Sequence, residues 1–369
     1  MFDGFYRGKR VLVTGHTGFK GSWLSEWLLK LGATVAGYSL GVPTRPSHFE
    51  VLDLSGRLAH HAGDITQLDT LKDVFRTFRP EVVFHLAAQP ITRLSYEEPK
   101  LTLDTNVGGT VNVLEAIRTM ASVHAAVLIT SDKCYENVEW EYGYRESDRL
   151  GGKDPYSASK ACAEIAFSAY ARSFFNKPGF PAVATARAGN VIGGGDWALD
   201  RIVPDSVRAW SERKPVLLRY PGAVRPWQHV LEPLSGYLWL GANLSRKREG
   251  LAGEAFNFGP SDGIEHSVLD LVIEMQKVWP NGEWCQEAVP DASKHEASLL
   301  ALSCDKALSR LRWRPTLTFS EAARMTAEWY KTFYESRADA AACTARHIDD
   351  FTAVARERTR SWSASPTSR

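Results

Sequence analysis

The chain has 369 residues, of which 44% are hydrophobic and 24% charged, so it can bury a sizeable core as two intimately packed domains or one large one. That excludes a disulfide-stapled miniprotein and a disordered scaffold. Lys and Arg number 44 against 43 Asp and Glu, a formal net charge of +1 without a long basic block. Such a balance offers no electrostatic footprint for nucleic acid or an anionic membrane surface, and a small-molecule partner is expected.

The N-terminus has no separate apolar h-region, and no run of about 18 apolar residues occurs, so a soluble cytoplasmic protein is expected. Apolar runs at 10–14, 34–38, 82–86 and 126–130 then read as buried strands alternating with helix-period stretches. Between the first two, Trp23, Leu24, Trp27, Leu28 and Leu31 recur at helical spacing and Gly32 supplies a stop. Asp154 and Pro155 look like an N-cap and a first-turn proline opening a helix to about 172, and a strand follows at 182–186. After 188 the chain turns glycine- and tryptophan-rich, with Arg201, Arg219 and Arg225 set among Pro and aromatic residues. An amphipathic helix is expected over 319–335, then an Ala/Arg/Ser-rich tail that frays from Trp362. The five cysteines (Cys134, Cys162, Cys285, Cys304, Cys343) are odd in number and lack metal-ligand spacing, so reduced thiols and no metal site are expected.

Gly15, Thr17, Gly18, Phe19 and Gly21 lie in the turn between the first strand and the first helix, where a dinucleotide fold needs glycines to approach a pyrophosphate. The fold class expected is therefore α/β, a Rossmann-type doubly wound parallel sheet, with a smaller mixed α/β substrate-binding domain. The boundaries are 1–187 with about 229–259 for the first unit, 188–228 with about 260–335 for the second, and a partly disordered tail over 336–369. No acid ends the second strand, where the residues are Tyr38, Ser39 and Leu40, and Arg45 follows, so NAD and NADP both stay open. Asp64 and Ile65 are candidates to border the adenine.

Tyr156 and Lys160 stand four apart near a helix start and share a face, so the ammonium is expected to favour phenolate and ready the tyrosine for proton exchange with a substrate hydroxyl. Tyr96 and Lys100 repeat the spacing, but Pro99 between them disfavours a common helix and marks that pair as a coincidence.

The glycine turn, Leu86-Ala87-Ala88-Gln89, Asn106, Thr130-Ser131-Asp132-Lys133 and Tyr156-Ser157-Ala158-Ser159-Lys160 follow the order of the extended short-chain dehydrogenases/reductases, a resemblance covering roughly residues 5–335. Longer strings, from Thr130 to Asn137, Gly189 to Trp197, Arg225 to Val230 and His295-Glu296-Ala297, resemble the CDP-glucose 4,6-dehydratases. That resemblance implies oxidation of a CDP-glucose at C4 by bound NAD, loss of water across C5 and C6, and hydride return to C6, for deoxysugar and O-antigen biosynthesis. It implies that Tyr156 takes the 4-hydroxyl proton, Ser131 polarises the 4-oxygen and Asp132 is the acid for water loss. Lys160 would hold the nicotinamide ribose. Lys133 stands where dTDP-glucose dehydratases carry a glutamate base, and acts either neutral as a base or charged on the enolate. By the same resemblance the cofactor site takes Gly15, Thr17, Gly18, Phe19, Gly21, Asp64, Ile65, Leu86, Ala87, Ala88, Gln89, Asn106, Tyr156 and Lys160. Asn190, Arg201, Arg219, Arg225 and His295 are the candidates for substrate. A homodimer through two helices per subunit is implied, one of them beginning at Asp154. Two alternatives stay open: another nucleotide-sugar dehydratase or 4-epimerase, and a non-catalytic NAD-binding regulatory protein.

Overall fold

The computed structural model describes residues 1–260, 266–286 and 299–364. Its core is a seven-stranded parallel sheet built from β1 (Arg10–Thr14), β2 (Thr34–Ser39), β3 (Ala59–Ala62), β4 (Val82–His85), β5 (Ala125–Ile129), β6 (Ala182–Arg187) and a late strand (Ala255–Asn257) that becomes β11 below. Two-residue and three-residue strands pair outside it: β7 (Val191–Ile192) with β10 (Gln228–His229), β8 (Val216–Leu218) with β13 (Trp284–Gln286), and β9 (Val224–Arg225) with β12 (His266–Ser267). The sheet order β11-β6-β5-β4-β1-β2-β3 reverses direction between β1 and β4, the switch point where doubly wound folds open a ligand crevice at the strand carboxyl ends.

Alternation along each strand decides the two faces. Val11, Val13, Val82, Phe84 and Val127 pack in one core, and Leu12, Val83, Ala126 and Leu128 in the other. Helices α1 (Phe19–Lys30), α2 (His48–Val51), α3 (Leu68–Phe78), α4 (Thr92–Glu97), α5 (Pro99–Leu103) and α6 (Gly109–Thr119) precede α7 (Pro155–Tyr170). After it come α8 (Ile202–Ser211), α9 (Leu231–Ser245), α10 (Val268–Gln276), α11 (Phe319–Glu335) and α12 (Ala340–Glu357). Residues of α1, α9, α11 and α12 join the first core, and those of α3, α6 and α7 the second.

The expected strands and helices form within one or two residues of the sequence reading, and Asp154 caps α7 by accepting the Ser157 N–H. Both edge strands went unseen in the sequence: β3 reads Ala-His-His-Ala with little burial, and β11 is three residues long, so neither makes an apolar run. At Trp362 itself the expected fraying is not found, while residues 365–369 of the expected frayed stretch lie outside the described residues. The Trp362 indole is fully buried, stacked on Phe2 at 5.3 Å and on Phe351 at 5.5 Å, and α12 packs against α1 and α11. An aromatic side chain buried so completely contributes roughly 1.5–3 kcal/mol, enough to hold a polar-looking terminus down.

Candidate active site

The turn after β1 is shaped by close approach. Gly15 has φ +75°, and a Cβ there would stand 2.6 Å from the Ala87 nitrogen, while one at Gly21 would stand 2.1 Å from the Gly15 carbonyl oxygen. Side chains at either position would separate the turn from the β4 loop and from α1. Gly18 is the N-cap of α1 and makes no side-chain cap, so the first N–H groups of Phe19, Lys20 and Gly21 face the crevice end of a twelve-residue helix. Thr17 donates its hydroxyl to the Gly41 carbonyl. His16 is buried, 2.7 Å from the His60 ring nitrogen and 3.2 Å from Ser39 Oγ, and burial pushes it down to about 3. Arg45 is exposed beside Glu50 at 3.8 Å.

On the other side of the switch point, Thr14 Oγ1 contacts His85 Nδ1 at 2.7 Å and accepts the Ala87 N–H, fixing Leu86, Ala87 and Ala88 at the end of β4. Asn106 accepts the Gln89 N–H at 2.8 Å and donates both to the Gln89 carbonyl and to Ser159 Oγ. It therefore ties the loop to α7, a role in placing the loop. Asp64 caps its own turn by accepting the Thr66 N–H, its carbonyl accepts the Tyr38 hydroxyl, and Ile65 packs buried beside Gly109.

Ser131, Asp132 and Lys133 follow β5 on a short 3-10 turn. Ser131 donates to Asp132 Oδ1 at 2.9 Å, and Asp132 Oδ2 is buried with no hydrogen-bond partner among the described residues. Gly189 leaves it room, since a Cβ there would lie 1.9 Å from that oxygen. Lys133 is half-buried and makes no side-chain hydrogen bond or ion pair among the described residues.

Tyr156 lies at the start of α7 with Lys160 Nζ 5.8 Å from its ring centroid. Lys160 is not among the groups that set the Tyr156 phenol here. Burial pushes Tyr156 up to about 12, and the opposing pull comes from the Ser131 hydrogen bond and the Arg201 charge. Lys160 itself is brought down to about 8, first by burial and then by Lys20. The decoy separates as expected: Tyr96 is in α4 and exposed, while Lys100 is in α5 and pairs with Asp104.

Two groups escaped the sequence reading. Lys20, in the first turn of α1, is pushed down to about 8 by burial and by Arg201, against the attraction of Asp132 and Asp196, so it shares the electrostatic environment of the site. Nothing in a glycine-rich turn singles out an intervening lysine. The second is a buried brace: Arg187 donates to Glu164 at 2.8 Å and to the Tyr135 hydroxyl at 2.7 Å, and Glu164 also accepts Thr130 and Thr185 hydroxyls. It joins β5, β6 and α7 directly beneath Ser131 and Lys160. Its partners are scattered through 130–187, so spacing alone could not reveal it.

The substrate candidates are spread more widely. Arg201 pairs with Asp196 at 2.6 Å and is raised by that carboxylate, with Tyr156 among the groups acting on it. Arg225 is buried on β9 and donates to the Val224 carbonyl. Arg219 is exposed and pairs with Asp200, and Asn190 has φ +38° one residue after Gly189. His295 and Glu296 lie outside the described residues.

The model of the GDP-mannose 4,6 dehydratase family matches residues 12–326. The chain is 46% identical over 352 residues to the CDP-glucose 4,6-dehydratase of Salmonella typhimurium, covering 94% of this chain and 97% of that one. It is 25% identical to the dTDP-glucose 4,6-dehydratase of Haemophilus influenzae, over 87% and 97% of the two chains. Among solved structures, the dTDP-glucose 4,6-dehydratase DesIV of Streptomyces venezuelae, with NAD and TYD bound, superposes with a TM-score of 0.75 at 25% identity over 89% and 98% of the chains. An epimerase of Methanothermobacter thermautotrophicus does so with 0.77 at 25% identity over 91% and 96%. With a parallel sheet of this order, a glycine turn at its switch point and a match over most of its length, the chain belongs to the GDP-mannose 4,6 dehydratase family.

Proposed function

We propose that the protein is an NAD-dependent nucleotide-sugar 4,6-dehydratase that converts CDP-D-glucose to CDP-4-dehydro-6-deoxy-D-glucose. The observation that carries this reading is Asp132, whose Oδ2 is buried and unpartnered one residue from the serine that bonds Tyr156. A 4-epimerase has no use for an acid that expels water.

The glycine cradle and the open first turn of α1 fit the pyrophosphate of NAD, with Gly15, Gly18 and Gly21 providing close approach and the Leu86–Gln89 loop walling the nicotinamide side. When bound, NAD supplies the reversible oxidation at C4 and reduction at C6. Tyr156 takes the proton of the 4-hydroxyl, Ser131 steadies the 4-oxygen and Asp132 delivers a proton to the departing 6-hydroxyl. Because burial pushes Tyr156 up to about 12, the Ser131 hydrogen bond and the Arg201 charge are the groups assigned to draw it back toward phenolate once substrate is seated. Lys133 has no side-chain partner among the described residues and is assigned to C5, as its base or as the charge on the enolate. Arg201 and Arg225, with Asn190, are assigned to the substrate pyrophosphate and sugar, guanidinium being suited to bidentate phosphate contacts. Residues 1–187 with 229–259 form the dinucleotide unit in this reading, and 188–228 with 260–335 the nucleotide-sugar unit.

A homodimer through α5 and α7 completes the proposal. Ile165 on α7 and Leu101 and Leu103 on the packed α5 are exposed, as is Phe174 just beyond α7, giving an apolar strip that a second copy would cover. Among the described residues no helix is long and apolar enough to cross a membrane, and the proposed location is the cytoplasm.

The test is incubation with NAD and CDP-, dTDP-, GDP- or UDP-glucose, scoring 4-keto product. CDP-glucose deuterated at C4 should give product labelled at C6. Label retained at C4, or a product that keeps its 6-hydroxyl, would sink the dehydratase reading. Sedimentation at twice 41.0 kDa is expected for the dimer.

A further inference from the structure

Arginines on the C-terminal arm fall into two kinds. Arg358 is neutralised, donating with both terminal nitrogens to Glu321. Arg312, Arg314 and Arg360 are not: among the described residues none of them pairs with a carboxylate. Together with the hydroxyl-bearing Thr359 and Ser361, and with Leu308, they line a hollow of about 260 Å³. Arg360 is the best placed of the three. Its Nε is buried with no hydrogen-bond partner, and one terminal nitrogen reaches the Arg358 carbonyl at 3.3 Å. Burial, Arg358 and Arg314 all disfavour its charge, although Glu232 favours it. Glu232 is the largest charge effect on Arg360 and favours its cation, but burial outweighs it and both Glu232 oxygens are already taken by the Thr316 and Leu317 N–H groups.

Three guanidiniums held around one hollow repel each other, and an arrangement of this kind persists at least cost when an anion shares it. The backbone that carries Arg312 is braced: the residue has φ +55°, Ser361 Oγ donates to its carbonyl at 3.2 Å, and the Trp239 indole donates to the Leu311 carbonyl at 2.8 Å. The loop is thus fastened to α9. Since α9 packs on the sheet face opposite α7, the hollow is separated from Tyr156 by both a helix and the sheet.

We propose that Arg312, Arg314 and Arg360 form a second anion site, built for a phosphate or diphosphate group and distinct from the catalytic crevice. The hollow is below the size that holds a whole nucleotide, which restricts it to the phosphate end of a ligand. Planar guanidinium forks and two hydroxyls match phosphate oxygens. An occupant would draw the three charges together and stabilise the C-terminal arm by mass action.

The experiment is calorimetric titration of the intact protein with inorganic phosphate and with pyrophosphate at constant ionic strength. Wild type, R312Q/R314Q and R225Q are compared, the last weakening the proposed substrate site. We expect pyrophosphate affinity to fall about tenfold or more in R312Q/R314Q and to be kept in R225Q. Turnover of CDP-glucose by R312Q/R314Q should match wild type when no phosphate is added. Both substituted arginines are exposed, and R314Q alone, with a several-fold loss expected, serves if the double variant folds poorly. Tighter binding of pyrophosphate than phosphate would identify a diphosphate site, and the reverse a monophosphate site. Equal affinity in wild type and R312Q/R314Q, loss in R225Q instead, or heat reproduced by added sodium chloride would overturn the proposal.

Discussion

Two buried polar regions adjoin in this molecule, with Thr130 next to Ser131 and Glu164 one helical turn from Lys160, and are built on opposite principles. In the brace, Glu164 accepts from Arg187, Thr130 and Thr185, and Tyr135 passes the network on to Asn257. Burial alone would raise Glu164, yet Arg187 and the two hydroxyls hold it below the usual carboxylate range. At the edge proposed as catalytic the groups are left wanting: among the described residues Asp132 has an unpartnered oxygen, Tyr156 is pushed up to about 12, and Lys160 and Lys20 are pushed down to about 8. A satisfied network holds its shape, whereas a half-satisfied one stores binding and proton-transfer capacity for a ligand. The first makes the second possible, because Thr130 and Glu164 anchor the residues on either side of the reacting ones.

The comparison breaks most visibly at Tyr156. Tyr156→Phe should cut kcat by about a thousandfold or more while thermal stability and nucleotide-sugar binding stay near wild type, since one proton-accepting oxygen is lost from the unsatisfied edge. A large drop in Tm would put Tyr156 in the scaffold. Arg187→Met should do the reverse, costing about 3–5 kcal/mol by leaving Glu164 charged and unpaired, read as a shift in the urea midpoint. Stability within 1 kcal/mol of wild type would show that the brace does not carry the fold.

Lys133→Met sharpens the edge itself. The variant should still oxidise C4 in a single turnover but stall before water loss, with solvent-deuterium exchange at C5 at least tenfold slower. Exchange at the wild-type rate would remove Lys133 from proton transfer.

Acid stability separates the regions by pH. Burial holds His16, His48 and His85 near 3, against 6.5 when unfolded, so the unfolded chain binds more protons in that interval and stability falls as pH drops from about 6.5 toward 3. Glu164, with a lowered value, keeps its contribution until pH falls below the ordinary carboxylate range. Tm should therefore decline between pH 7 and pH 5 with the brace intact; a flat profile there would contradict the buried-histidine account. The smallest effect expected is that of Tyr96→Phe, within about twofold of wild-type kcat, because that tyrosine is exposed on a different helix from Lys100.

Local patterns determined much of this protein. Short continuous apolar runs placed β1, β2, β4, β5 and β6, Asp154 and Pro155 started α7, and the period of 319–335 made α11, because each signal is carried by neighbours in the chain. The glycine turn and the Tyr156–Lys160 pair stand out for the same reason, each being a short string at a strand end or helix start, whereas Ser131 and Asp132 were singled out only through the family resemblance. Tertiary structure decided what depends on distant partners. It turned β3 and β11 into sheet edges through pairing with β2 and β6, and buried Trp362 against Phe2. It buried Tyr156, and that desolvation pushes the phenol up against the pull of Ser131 and Arg201, neither of which spacing along the helix could reveal. Spacing along a chain specifies which side chains can meet, but the dielectric they meet in belongs to everything packed around them.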